Sequence, residues 1–164
     1  MSDGIDASTI LEALALLAQR AVEAREAERA ALETRAEVFV AAVRAGARLE
    51  EIGEAAGMTK AAVSAIVLRT LPRRAGKGGP YRRRRGVAAA LERVPDVATH
   101  ARRARTDTHD SVLRRDRAVV AATDRGLSTA ALAQAMGTTA PVVRALLARR
   151  RSEATPQSSG ALAS

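Results

Sequence analysis

The sequence predicts an all-α protein: a long N-terminal helix followed by two short paired-helix units, joined by a basic Gly/Pro linker. Three observations carry this. Hydrophobic residues make up 47% of the 164-residue chain but aromatic residues only 1%, with Phe39 and Tyr81 the two rings. The apolar side chains are therefore mostly Ala, Val and Leu; alanine is the strongest helix former, whereas strands draw on β-branched and aromatic alternation. Apolar positions recur at steps of three and four, the period of one helix face. Finally, the stretch EIGEAAGMTKAAVSAIVLR from Glu51 to Arg69 returns as ALAQAMGTTAPVVRALLAR from Ala131 to Arg149.

Residues 8–45 read as one long helix or two placed end to end. Thr9 and Glu12 have capping-box spacing, in which a hydroxyl takes an orphan amide and a carboxylate returns the bond. Ile10, Leu14, Leu17, Ala21 and Ala24 form a seam at alternating steps of four and three. That seam suits either a dimerising coiled coil or a helix packed back on its own domain. Val38, Phe39, Val43 and Leu49 widen the stripe where the chain enters a core. Residues 72–86, PRRAGKGGPYRRRRG, form the linker, because its glycines and prolines cannot share a helix interior. A short helix over residues 87–94 should end before Pro95. Asp96 should then cap a helix to about residue 105, and Asp107 or Thr108 a further one stopped by Gly126. The expected segments are thus 1–35, 36–71, 72–86, 87–151 and a disordered tail 152–164, which is poor in large apolar groups.

The two versions of the repeated stretch describe one object. Counting from Gly57, Ile52, Gly53, Ala56, Val63 and Ile66 match Leu132, Ala133, Met136, Val143 and Leu146 around Gly137. A short helix ends at a glycine, whose missing Cβ permits a left-handed turn. Thr59 or Thr139 then caps a second helix, held to the first by the apolar pair. Gly53, where the second version has Ala133, lowers helix propensity by up to about 1 kcal/mol. Thr138 stands where the first version has Met58, and Pro141 is tolerable because it falls in a first helical turn.

Charge divides unevenly. Residues 1–57 carry 11 acidic and 6 basic groups, whereas residues 58–164 carry 7 and 21. A surface of that positive sign attracts a polyanion. With no cysteine, disulfides and thiolate metal sites are excluded, and His100 and His109 cannot close a zinc site by themselves. GKGG lacks the spacing and the Ser/Thr of a phosphate loop. No enzyme chemistry, cofactor or metal is therefore expected. No apolar run has the length of a membrane span, and MSDGID does not read as a signal peptide, so a cytoplasmic, nucleoid-associated protein is expected.

The repeated unit resembles the helix-turn-helix of DNA-binding proteins, and its first copy is similar to the small sigma-factor-like regulators of actinobacteria and their phages. The resemblance implies that the second helix of each unit enters the major groove of double-stranded DNA. On those helices Thr59, Lys60, Ser64, Thr139 and Arg144 are the candidate base readers, Arg144 having the fork that grips guanine. Arg69, Arg73, Arg74 and Lys77 after the first unit, and Arg149, Arg150 and Arg151 after the second, suit phosphate contacts. Arg82, Arg83, Arg84 and Arg85 suit the backbone or a narrow minor groove. The implied function is a transcriptional regulator, of repressor type, binding through both units. The alternative is an adaptor, in which the acidic helix over residues 8–35 holds a protein partner such as RNA polymerase or a sigma factor while the basic half anchors to DNA. A homodimer through the same helix is a third use of that surface.

Overall fold

The computed structural model describes residues 6–71 and 86–154, and every regular element among them is a helix. These are α1 (Ala7–Ala45), α2 (Leu49–Ala56), α3 (Lys60–Thr70), α4 (Val87–Glu92), α5 (Val94–Asp124), α6 (Thr129–Ala135) and α7 (Ala140–Ala154). None of them is long and apolar enough to cross a membrane. Apart from Gly86, the linker lies outside the described residues, and with it Arg73, Arg74, Lys77, Arg82, Arg83, Arg84 and Arg85.

The long N-terminal segment is one continuous helix. It starts two residues before Thr9, so the Thr9–Glu12 box does not form; Ser8 donates to Glu12 at 3.4 Å instead, and Ile10 N–H reaches the Asp6 carbonyl. The break expected near residue 106 is also absent, and α5 runs unbroken from Val94. Pro95 sits in its first turn, where it removes no helical hydrogen bond. Thr108, expected to cap a new helix, lies 2.9 Å from both the Ala104 and the Ala24 carbonyl oxygens. Its hydroxyl is satisfied inside the helix and so does not compete with it. Ser152, Glu153 and Ala154 extend α7 beyond the expected start of the tail. Glu153 meets Arg150 at 2.6 Å and Arg149 at 3.8 Å, pairs at helical spacing that support the last turn.

Packing divides the chain into two compact units, Met1–Glu23 with His109–Ser164, and Ala24–Thr108. The division falls inside both long helices, not at residue 35 or 86. In the unit Ala24–Thr108, Phe39 of α1, Ile52 of α2, Val63 of α3 and Val94 of α5 are fully buried in one core. In the other unit, Leu14 of α1, Val119 of α5, Leu132 of α6 and Val143 of α7 do the same.

The two cores reveal that the internal repeat is much longer than the helix pair. At the same eighty-residue offset, Leu14 matches Val94, Phe39 matches Val119, Ala42 matches Ala122, and Gly46 matches Gly126. Each of those side chains is buried, and Gly46 and Gly126 both take positive φ, 100° and 85°. One copy of the repeat is therefore a long helical stretch followed by a helix pair. Each unit combines the beginning of one copy's helical stretch with the end of the other copy's stretch and its helix pair. Leu14 and Ala21 of the predicted seam are thereby buried against their own chain, which is the second of the two uses read from that seam.

Both sharp bends form as expected. Gly57 has φ 63° and Gly137 φ 61°. The amide after each reaches back to the carbonyl at the start of the bend, Met58 to Gly53 at 2.8 Å and Thr138 to Ala133 at 2.9 Å. That is the Schellman arrangement, which closes orphan carbonyls at a helix end. Gly53 has a reason beyond propensity: a Cβ there would lie 2.7 Å from the Met58 carbonyl oxygen. Gly53→Ala should therefore destabilise the protein by about 1–3 kcal/mol despite alanine's better helix propensity, because a backbone atom must move. Urea unfolding measures this; a midpoint equal to or above that of the parent would show that the bend yields freely.

Candidate nucleic-acid interface

Each helix pair buries the same side of its second helix. Val63, Ile66 and Val67 anchor α3, and Val143, Leu146 and Leu147 anchor α7, at identical offsets. Thr59 caps α3, accepting from the Ala62 N–H at 3.2 Å. In α7 the ladder begins at the Thr139 carbonyl, which takes the Val142 N–H at 3.0 Å. α6 has a cap that sequence reading passed over, Ser128, which accepts from the Ala131 N–H at 3.2 Å.

The opposite side of both helices faces outward. Thr59, Lys60, Thr139 and Arg144 are exposed, while Ser64 is half-buried. Two apolar groups that sequence reading did not select share these faces: Leu68 is 70% exposed and Val142 52%. They are suited to thymine methyls. The two faces differ in charge. Lys60 forms an exposed ion pair with Glu50 at 2.6 Å, and that hydrogen bond holds the Glu50 carboxyl below its ordinary range. The matching positions in the second unit are Ala140 and Ala130. There Arg144, exposed on α7, stands where the first unit has Ser64. An exposed pair such as Lys60–Glu50 is weak and exchanges readily for another anion.

The candidate phosphate ligands separate into two groups. Arg69 is exposed, its Nε donating to the Ala65 carbonyl at 3.1 Å, and Arg151 is exposed as well. Arg149, although also exposed, and the half-buried Arg150 instead pair with Asp116, which is completely buried. Arg149 Nη2 lies 2.8 Å and Arg150 Nη2 2.9 Å from Asp116 Oδ2, while Arg115 Nη2 meets Oδ1 at 2.6 Å. Burial pushes the Asp116 carboxyl up, but hydrogen bonds from Arg115 and Arg150 outweigh it and leave the group below its ordinary value. The cluster ties the end of α7 to α5 within one unit. Sequence reading missed Asp116; the signal was an acid three residues before core Val119, hidden in the basic run Arg114, Arg115, Asp116, Arg117.

Among the described residues no three side chains of metal-binding type gather. No family model matches the chain, and no curated protein or solved structure matches it either.

Proposed function

We propose that this protein is a sequence-specific transcriptional regulator that binds double-stranded DNA through two helix-turn-helix units, in the manner of the helix-turn-helix proteins its repeated stretch resembles. One observation carries the reading most strongly. Two helices, α3 and α7, are anchored by apolar triads at matched positions and present the opposite side to solvent. The excess of basic residues after residue 57 supplies the attraction to a polyanion. In this reading the chain is a binding protein and not an enzyme, it needs no cofactor, and it resides with the nucleoid in the cytoplasm.

The two copies bear different groups on equivalent positions, Lys60 and Ser64 against Ala140 and Arg144. The site should therefore consist of two unlike half-sites, read by one chain. Selection of bound sequences from random duplex DNA, followed by footprinting, tests this. Two dissimilar conserved blocks are expected; enrichment of a single block, or of no sequence at all, counts against the proposal.

Arg144→Ala should cost about 1–3 kcal/mol of binding and relax preference at one base position of one block. Because Arg144 is exposed, thermal stability should not change. Competition binding with single-base variants of the selected site checks both parts.

A further inference from the structure

The repeat places two arginines of one framework in both units but sets a carboxylate beside them in only one. Arg115 and Arg149 of the second copy correspond to Arg35 and Arg69 of the first. The acid that binds the former pair, Asp116, corresponds to Ala36. The first copy thus keeps two of the cluster's three arginines, Thr70 standing where the second has Arg150, and lacks the carboxylate.

Arg35 and Arg69 line a pocket of about 510 Å³ in the unit Ala24–Thr108. Arg25, Arg29, Glu28 and Glu33 also line it, so its charged lining is four arginines against two glutamates. The Arg35 Nε is buried and has no hydrogen-bond partner. Burial, together with the positive fields of Arg69, Arg102 and Arg105, pushes the Arg35 guanidinium below its ordinary value. The neighbours make bonds to neutral oxygens, Arg69 to the Ala65 carbonyl and Arg102 to the Ala56 carbonyl and Thr99 hydroxyl. None of these four arginines has a carboxylate at ion-pair distance among the described residues.

A guanidinium does not deprotonate in a protein, so such a cluster is relieved by an anion. We propose that the pocket beside Arg35 and Arg69 binds a small multiply charged oxyanion of the phosphate class, which takes the place that the Asp116 carboxylate occupies in the other unit. Planar guanidinium groups match the oxygens of such an anion two at a time. The pocket lies between α1 and the buried side of α3, at Ile66, away from the outward face proposed to meet bases. Its occupant is thereby a means of adjusting how firmly α3 is held.

The test is thermal unfolding of the full-length chain with inorganic phosphate or pyrophosphate, chloride being exchanged to hold ionic strength constant. Saturating anion should raise the Tm by about 3 °C or more. Ala36→Asp should raise the Tm without anion and abolish the anion-dependent rise. Arg35→Gln should also abolish that rise, without the gain in basal Tm. The proposal is overturned if neither anion shifts the parent protein, or if Ala36→Asp responds as the parent does. It is equally overturned if Ala36→Asp weakens duplex DNA binding while phosphate and pyrophosphate leave the parent Tm unmoved, since the anion is then the DNA backbone itself.

Discussion

Replacing Asp116 with asparagine should lower stability by about 3 kcal/mol. Removing one partner of a buried ion pair leaves the other charges desolvated and uncompensated, which typically costs about 3–5 kcal/mol. The lower end applies here because the three arginines differ in exposure. Arg115 is 13% exposed and Arg150 24%, but Arg149 is 56% exposed and can turn to water. Urea unfolding by helical circular dichroism measures the loss, and a change under about 1 kcal/mol would show that the cluster does not anchor α7. The same group sets an acid limit. Its folded pKa is depressed relative to the unfolded chain, so its contribution is fully present above the unfolded value of about 3.9. It is lost as pH falls from there through the folded value. The parent protein should therefore weaken below about pH 4 more steeply than Asp116→Asn.

Raising salt from about 50 to 200 mM should weaken duplex DNA binding by roughly 10³-fold, the loss expected when about six phosphates are neutralised. If the protein binds DNA as proposed, not every candidate arginine contributes equally. Arg149 and Arg150 are engaged with Asp116, so their replacement by alanine should reduce stability more than it changes the salt slope. On the proposed reading, Arg151 and the linker residues Arg73, Arg74, Lys77 and Arg82 to Arg85 form the sequence-independent set. Alanine at Arg82, Arg83, Arg84 and Arg85 should weaken all duplexes alike and flatten the logarithmic slope by about 0.9 for each phosphate no longer neutralised. Fluorescence anisotropy across a salt series reads the slope. A change in sequence preference from these four substitutions would mean that the linker reads bases.

The sequence reading recovered the bends well and the helix boundaries less well, for physical reasons visible at particular residues. Gly57 and Gly137 are legible because a left-handed turn needs glycine whatever surrounds it. The continuity of α5 was not legible, because Asp107 and Thr108 carry capping chemistry in isolation. Only the neighbouring Ala24 carbonyl shows that Thr108 has a use inside a helix. The cost assigned to Gly53 was local as well, and its clash with the Met58 oxygen exists only in the folded bend.

The interface candidates divide in the same way. Lys60 and Arg144 could be chosen from helical period alone, since the positions left over after Val63, Ile66, Val143 and Leu146 are buried must face outward. Arg149 and Arg150 could not be distinguished from surface arginines, because their partner lies 33 and 34 residues earlier, on α5.

By itself the sequence determined that this chain is helical, that it bends twice at glycine, and that it carries one unit in two versions. Those properties rest on propensity, backbone sterics and period, which act within a few residues. Only the tertiary structure decided that the beginning of each copy packs with the helix pair of the other. It also decided that one version encloses an aspartate among its arginines where the other has Ala36. Such outcomes depend on which surfaces meet in the folded chain, and burial turns a charge from a surface detail into a structural requirement.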